Sequence, residues 1–226
     1  MIKLNTIENK DCFEGMKEIP NQFFDYAFTS PPYNRKRNDK YEKYDDRNES
    51  YYNFLINLSF TLMRKVKNHT FINLQTNYYN RSDVYKLIGD LSSYIQNIII
   101  WEKSNPLPAS GYNITNAYEI FLVLGNKPLK SLSTYTKNIV TTSVNTEGTT
   151  KIHKAVMKQD VCDWMFEHFI PKGSTVLDPM IGLGTTAISA EKYGCQWYGY
   201  EIVPEYVNCA WERIITQEKD IYKIRD

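Results

Sequence analysis

A glycine-rich segment in the last quarter of the chain has the residue types that hold a phosphate-linked cofactor. Residues 182–187 fit the pattern G-x-G-x-x-A, and Glu201 follows Gly182 by 19 positions. In dinucleotide-binding proteins the glycines let the backbone approach the ligand, and an acid about 20 residues later binds the ribose. Taken alone, the pattern predicts a nicotinamide or flavin site, although a plain turn can carry the same signature.

An aspartate four residues before the first glycine changes that interpretation. Asp178 follows a short apolar stretch, and its carboxylate would repel a pyrophosphate bound at the start of the next helix. It suits a ligand whose nearby end carries an ammonium group, and S-adenosylmethionine has such an end together with a ribose diol for Glu201. The alternative roles are a helix N-cap for Asp178 and an ordinary strand-end acid for Glu201.

A second segment with chemical potential is Thr29-Ser30-Pro31-Pro32-Tyr33, which follows the apolar stretch 23–28. Two consecutive prolines exclude a helix interior and a central strand, so the segment is expected to be a stiff loop at a strand end. The alternative is a proline-rich turn or a ligand for a proline-binding domain.

Strands and helices alternate along the chain, and this alternation predicts how the two segments are positioned. It predicts an α/β fold with a mostly parallel, twisted sheet and helices on both faces. Such sheets bind ligands at the carboxyl ends of their strands, so Asp11, Ser30, Asp178 and Glu201 should meet at one site. Strands are expected at 4–7, 23–28, 70–74, 95–101, 117–124, 174–177 and 196–200, and helices at 13–19, 51–66, 84–94, 152–169, 186–193 and 204–215.

Length and composition restrict the class of protein. A chain of 226 residues with 42% hydrophobic and 23% charged residues predicts one globular domain, 1–226, and excludes disordered, collagenous and coiled-coil classes. No apolar stretch approaches the roughly 20 residues of a membrane span, so we expect a cytoplasmic protein without a membrane partner. The four cysteines and three histidines lack metal-binding spacing, so no metal is predicted. With a net charge of +1, any basic surface for nucleic acid must be local.

The two segments together resemble motifs of the DNA amino-methyltransferases. Residues 178–186 resemble the family's cofactor motif, D-P-F-x-G-x-G-T-T, with Met180 in place of the usual phenylalanine. Residues 29–33 resemble its catalytic motif, [DNS]-P-P-[YF]. The catalytic motif precedes the cofactor motif, which is the permuted order of the family's β group.

Further segments are similar to the same family and lie in the same order. Residues 9–13 resemble a segment whose aspartate lies near the cofactor adenine, and 99–106 resemble a strand-and-loop segment. Residues 153–157 resemble a segment that closes over the methionine moiety, although Lys158 stands where proline is common. Residues 199–206 match the usual ending G-x-E-x-x-P-E-Y. The resemblance covers nearly the whole chain except about 34–50 and 130–150.

The resemblance implies a Rossmann-like methyltransferase fold with the catalytic half before the cofactor half, and S-adenosylmethionine as cofactor. The implied catalytic residues are Ser30, Pro31, Pro32 and Tyr33. The implied cofactor-binding residues are Asp11, Cys12, Thr29, His153, Asp178, Pro179, Met180, Gly182, Gly184, Thr185, Thr186 and Glu201.

The implied substrate is an exocyclic amine of a DNA base, whose lone pair is delocalised into the ring. Ser30 Oγ and the Pro31 carbonyl can each accept an amine N–H and so turn the lone pair toward the methyl donor. Tyr33 can stack on the base, which must be flipped out of a duplex at a cost of a few kcal/mol. Serine in the motif is commoner among cytosine N4 enzymes, so cytosine N4 is the expected target and adenine N6 the alternative.

The implied partner is DNA, expected to be double-stranded; a cognate restriction endonuclease could act beside the protein, and the chain could form a homodimer. The expected DNA contacts are Arg35, Lys36, Arg37, Lys103 and Asn105, with a solvated run of charges as the alternative. The Ser/Thr-rich stretch 130–150 could be a small recognition insert or a surface loop. Two other classes stay open: a nicotinamide-dependent oxidoreductase, which leaves 29–33 unexplained, and a nucleic-acid-binding module without catalysis.

Overall fold

The computed structural model of the protein describes residues 2–35, 47–109, 111, 113–144 and 156–216. Within these ranges the chain forms eight strands and six helices. The strands are β1 Thr6–Asn9, β2 Tyr26–Thr29, β3 Thr70–Leu74, β4 Ile95–Lys103, β5 Tyr118–Leu124, β6 Ile139–Thr142, β7 Thr175–Asp178 and β8 Gln196–Glu201. The helices are α1 Cys12–Lys17, α2 Tyr51–Lys65, α3 Arg81–Asp90, α4 Gln159–Phe169, α5 Thr185–Lys192 and α6 Pro204–Thr216.

The strands form one mixed sheet in the order β1-β8-β7-β2-β3-β5-β4-β6. The first five strands in that order are parallel to one another, whereas β5 runs antiparallel to both β3 and β4. At the far edge, β6 is parallel to β4. The predicted α/β fold with a mostly parallel sheet is confirmed, and β2 precedes β7 and β8 along the chain, as the permuted order requires.

Helices cover both faces of the sheet because each has one apolar stripe to bury. On one face, α2 places Leu55, Leu58 and Leu62 against the sheet and its neighbours α1 and α3. On the other face, α4, α5 and α6 pack over a core that includes Phe28, Phe121 and Trp197. No helix among the described residues is both long and apolar enough to cross a membrane.

The sequence prediction differs most from the structure at two places. Residues 139–142, expected to lie in an irregular stretch, form the edge strand β6, in register from Ile100↔Ile139 to Lys103↔Thr142. This strand depends on pairing with β4, because only Val140 of its four residues is buried and the local pattern is weak. Helix α4 begins at Gln159 rather than at 152, since Lys158 is extended at φ −61° and ψ 128°.

Candidate active site

The predicted site residues lie at one edge of the sheet, where parallel strands end side by side. Ser30 follows β2, Asp178 ends β7, Glu201 ends β8 and Asp11 follows β1. These four strands are consecutive neighbours in the order β1-β8-β7-β2. The structure therefore brings together residues that are up to 190 positions apart in the sequence (201 − 11 = 190).

Two cavities open at this edge and share Ser30, Met180 and Gly182. The larger cavity is bounded by the loop 30–33, the start of α1 and the ends of β7 and β8. Its lining residues are Lys10, Asp11, Cys12, Phe13, Ser30, Pro31, Pro32, Tyr33, Arg35, Phe54, Pro179, Met180, Gly182, Tyr200, Glu201, Ile202 and Tyr206. The smaller one adds Asp178, Thr185, Thr186, Val156 and Met157. Ser30 therefore stands between a space beside Glu201 and a space beside Asp178.

The loop 30–33 is fixed by hydrogen bonds to two of its backbone carbonyls. The Tyr51 hydroxyl donates to the Pro32 carbonyl at 2.7 Å. The side-chain amides of Asn77 and Asn80 both donate to the Tyr33 carbonyl, at 2.9 and 2.7 Å. Within the described part of the chain no group donates to the Pro31 carbonyl, and Pro31 lines the larger cavity. The Pro31 carbonyl, which is the predicted acceptor, is thus available, whereas the carbonyls of Pro32 and Tyr33 are occupied.

Side chains of the loop enter a polar network behind the cavity. Ser30 Oγ lies 2.9 Å from the Tyr33 hydroxyl and donates to Asn73 Oδ1 at 3.1 Å. The Tyr33 hydroxyl is hydrogen-bonded to Asn73 Oδ1 and, at 2.9 Å, to Glu119 Oε2. Tyr33 is only 8% exposed. Burial, together with the nearby charge of Glu119, raises the pKa of the Tyr33 hydroxyl well above its ordinary value.

The buried end of this network is an ion pair. Lys103 Nζ lies 2.8 Å from Glu119 Oε1, with side chains that are 10% and 6% exposed. The prediction that Lys103 contacts DNA is therefore corrected: its ammonium is directed into the protein and neutralised there. Sequence reasoning could not see this, because Glu119 lies on the antiparallel neighbour β5.

Asn34 follows the loop 30–33 and ties it to the segment before α2. It adopts a left-handed conformation with φ 49°, which asparagine tolerates better than most residues. Its side chain exchanges two hydrogen bonds with the backbone of Asn48, at 2.9 and 3.0 Å. Arg35 then folds back, with its guanidinium 5.4 Å from the centre of the Tyr33 ring and Nη2 donating to Gln75 Oε1 at 2.7 Å.

Asp178 is held at the bottom of the smaller cavity. Its Oδ1 accepts from the Met180 amide at 3.0 Å, and its Oδ2 accepts from Thr186 Oγ1 at 2.5 Å. Burial raises the pKa of this carboxyl to about 6, although the hydrogen bonds from Thr186 and Met180 act to lower it. The N-cap role considered for Asp178 does not hold, because α5 begins at Thr185 with Gly184 as its cap.

Glu201 connects β8 to the glycine-rich loop. Its Oε1 accepts from the Val203 amide at 2.8 Å and its Oε2 accepts from the Gly182 amide at 3.1 Å. Burial raises its pKa, and these backbone hydrogen bonds oppose the rise. A carboxylate has about four lone-pair sites, so each oxygen can still accept one hydroxyl from a ligand.

The two glycines of the loop have different structural tasks. Both have positive φ, 53° for Gly182 and 81° for Gly184. A Cβ on Gly182 would meet nothing closer than 4.0 Å, so this face is open to the cavity, whereas a Cβ on Gly184 would lie 3.2 Å from Ile214 of α6. Arg213 of α6, which is buried, donates to the Leu183 carbonyl and so holds the loop from behind.

The remaining predicted cofactor residues divide between lining and supporting positions. Asp11 lines the larger cavity, but its Oδ1 also caps α1 by accepting from the Phe13 and Glu14 amides at 2.9 and 3.1 Å. Burial raises the pKa of the Cys12 thiol to about 12, so it is a neutral wall of that cavity. Thr29 is buried below both cavities and lines neither.

Of the other predicted DNA contacts, Asn105 is exposed, and its Oδ1 accepts from the Val144 amide at 2.7 Å, which ties it to the segment after β6. The predictions for Lys36, Arg37 and His153 lie outside the described residues. Sequence reasoning missed Asn73 and Glu119. The available signal was a polar residue inside each of two otherwise apolar strands, β3 (TFINL) and β5 (YEIFLVL).

Comparison with known proteins gives one family and one fold. A family model for DNA methylases matches residues 24–154 and 130–212. Type II methyltransferase M.HinfI of Haemophilus influenzae is 26% identical over 245 residues, which covers 93% of this chain and 68% of that protein. These matches confirm the resemblance seen in the motifs.

Solved structures agree with the fold. The cytosine-N4-specific PvuII DNA methyltransferase superposes with a TM-score of 0.76 at 17% identity, covering 99% of this chain and 91% of that one. The M1.HpyAVI–SAM complex superposes with a TM-score of 0.67 at 19% identity, covering 92% and 98%. At these identities the likeness establishes the Rossmann-like methyltransferase architecture.

Proposed function

Because the chain belongs to the DNA methylase family whose model matches residues 24–154 and 130–212, we propose that it methylates N4 of cytosine in DNA. It is an S-adenosylmethionine-dependent DNA methyltransferase that acts on an exocyclic amine of a base. The choice of cytosine over adenine is the proposal, and Ser30 at the first position of the catalytic motif carries it. The name of the PvuII structure, which is cytosine-N4-specific, supports the same choice.

The residues at the site fit S-adenosylmethionine better than a dinucleotide. The smaller cavity ends on the Asp178 carboxylate, which would attract an ammonium group and repel a phosphate. In the larger cavity, Glu201 keeps acceptor sites for ribose hydroxyls, and the open face of Gly182 permits close approach. Asp11, Cys12 and Phe13 would bound the adenine at the start of α1. When bound, the cofactor would supply a methyl group on its sulfonium: the carbon–sulfur bond breaks as the carbon–nitrogen bond forms, the neutral thioether is a good leaving group, and the amine loses one proton to water.

The chain's own contribution to the chemistry is to position and activate the amine. Ser30 lines both cavities and Pro31 lines the larger one, and Ser30 Oγ and the Pro31 carbonyl can each accept one N–H of the amine. These two hydrogen bonds draw the nitrogen out of conjugation with the ring, so that its lone pair is available. The hydrogen bonds from Tyr51, Asn77 and Asn80 to the following carbonyls fix the loop before substrate binds. Positioning of this kind supplies most of the rate when the leaving group is already good.

The test is mass spectrometry of nucleosides from DNA treated with the protein and isotopically labelled S-adenosylmethionine. Labelled N4-methyldeoxycytidine is the expected product. Labelled N6-methyldeoxyadenosine would show that adenine, the alternative, is the target base. Absence of any labelled nucleoside would contradict the proposed methyltransferase activity. A Ser30→Ala variant serves as the matched control, because it keeps the loop and removes one acceptor.

The type II name of the Haemophilus relative supports a role in a restriction–modification system. A cognate endonuclease, a homodimer and a recognition role for 130–150 stay predictions. The described part of that stretch, up to residue 144, is continuous with the sheet through β6.

A further inference from the structure

A chain of hydrogen bonds runs from the cavity wall into the interior of the sheet. Ser30 Oγ lies 2.9 Å from the Tyr33 hydroxyl, which lies 2.9 Å from Glu119 Oε2. The other oxygen of Glu119 is paired with Lys103 Nζ at 2.8 Å. Glu119 is 5% exposed and lines neither cavity, so it cannot touch a substrate there.

The ionised end of this chain restricts the directions of the hydrogen bonds in it. A carboxylate only accepts and an ammonium only donates, so Lys103 donates to Glu119, and a hydrogen bond between Tyr33 and Glu119 has Tyr33 as its donor. The Tyr33 hydroxyl has one proton, and that proton is directed at Glu119 or at Asn73 Oδ1. Tyr33 therefore faces Ser30 with its oxygen lone pairs, and Ser30 donates its own proton inward.

We propose that Glu119, acting through Tyr33, holds Ser30 as a hydrogen-bond acceptor toward the target amine and is a positioning residue for methyl transfer. The inference rests on the proposed amine methylation. With the Ser30 proton directed inward, both lone pairs of Oγ are left for the cavity side. If Tyr33 instead donated to Ser30, the Ser30 proton could point at the amine nitrogen and occupy the lone pair that must attack the methyl group.

Two further observations support this assignment. The raised pKa of the Tyr33 hydroxyl keeps its proton in place at neutral pH, so the direction of donation does not change with ordinary buffer conditions. Desolvation offsets much of the attraction in a buried ion pair, so stability alone does not account for the pair between Lys103 and Glu119. A role in positioning Ser30 does account for it.

The experiment is a double-mutant cycle measured by steady-state and single-turnover kinetics of DNA methylation. In Glu119→Gln the amide oxygen must face Lys103, so the NH2 faces Tyr33 and reverses the direction of donation. We expect kcat to fall about tenfold or more, with KM values for DNA and cofactor changing less than about threefold. In a Tyr33→Phe background the same substitution should change kcat less than about twofold, because the connection to Ser30 is already cut.

A rescue variant separates direction of donation from folding. In Glu119→Gln combined with Lys103→Met, the glutamine is free to turn its oxygen to Tyr33, and no ammonium is left unpaired. We expect this variant to recover most of the kcat lost in Glu119→Gln, even if the single variant melts at a lower temperature. The matched control is Glu8→Gln, which alters a similar tyrosine–glutamate hydrogen bond, from Tyr198, outside both cavities. It should leave kcat within about twofold.

The outcomes distinguish this inference from the proposed function. Suppose that the parent chain methylates DNA. If the losses of kcat from Glu119→Gln and Tyr33→Phe multiply in the double variant, or if the rescue variant stays as slow as Glu119→Gln, Glu119 has no positioning role. If the parent chain forms no methylated nucleoside, the proposed function fails and this inference with it.

Discussion

The Gly182 amide donates a 3.1 Å hydrogen bond to the Glu201 carboxylate, so the two residues whose spacing first suggested a nucleotide site are in direct contact. The bond joins the glycine-rich loop to the end of β8. It means that the acid both shapes the loop and borders the space that the loop encloses. Removal of the Glu201 carboxylate should therefore weaken ligand binding more than removal of any neighbouring surface acid.

The first prediction concerns that acid. Glu201→Gln removes the charge that can accept ribose hydroxyls, and should weaken S-adenosylmethionine binding by about 1.5–3 kcal/mol, the range for hydrogen bonds to charged groups. Isothermal titration calorimetry gives the affinity. Glu212→Gln, at an exposed position on α6, is the control and should bind like the parent. Unchanged affinity in Glu201→Gln would exclude the carboxylate from the ribose site.

The second prediction follows from the pKa of Asp178, which burial raises to about 6. The ionised form attracts the cofactor's ammonium group, so binding should be at full strength above about pH 7. As pH falls through about 6 the free carboxyl takes up a proton, and affinity should decrease by up to about tenfold per pH unit. Asp178→Asn should bind weakly and lose most of this pH dependence. A pH profile that is the same in the variant would assign the titration to another group.

The third prediction separates the two glycines. Gly182→Ala should weaken cofactor binding with a small loss of stability, since its Cβ meets only open space at the cavity wall. Gly184→Ala should lower the melting temperature further, because its Cβ would crowd Ile214 and Ala210 at 3.2 and 3.3 Å. Each also bears the left-handed strain of about 1–2 kcal/mol. Thermal melting with and without cofactor measures both effects, and equal melting of the two apo variants would contradict the assignment.

The fourth prediction concerns salt and DNA. Lys103→Met should leave the slope of log affinity against log salt unchanged, because its ammonium is paired with Glu119 at 2.8 Å. Replacing Lys36 and Arg37 together should reduce the slope by roughly two if both contact phosphates. Fluorescence anisotropy with a short duplex at several salt concentrations tests both. A reduced slope in Lys103→Met would show that the ion pair opens on DNA.

The sequence was sufficient to predict the positions of those site residues that follow parallel strands. Ser30, Asp178 and Glu201 were placed together because parallel strands end at one edge, and the sheet order β8-β7-β2 bears this out. The failures at β6, Glu119 and Lys103 have a common physical cause, which is pairing between distant segments. Glu119 lies at the start of an antiparallel strand, so it reaches the same edge from the opposite direction. Lys103 gave the local signal of a surface cation because its partner lies on another strand.

Tyr33 shows the same limit within a single residue. Its place in the catalytic motif indicated a ring for base stacking, and from that role alone Tyr33→Phe would be expected to be mild. The hydroxyl is instead buried against Asn73 and Glu119, neither of which is near it in sequence. The local pattern marks Glu119 as a polar residue in an apolar strand, but it does not show that its partner is Tyr33, 86 residues away.

The pairing of β1 with β8 has a consequence for how the protein is made. Asn9 and Glu201 lie in register although 192 residues separate them, and Asp25 bonds Thr175 across 150. Contacts of such long range are slow to form, because a large loop must close before they are gained. During synthesis, β1 and β2 leave the ribosome before β7 and β8 and must wait for them before one side of each can pair. The cofactor half of the site thus closes only after β8 has been made, and until then β1 and β2 expose edges that a chaperone could cover.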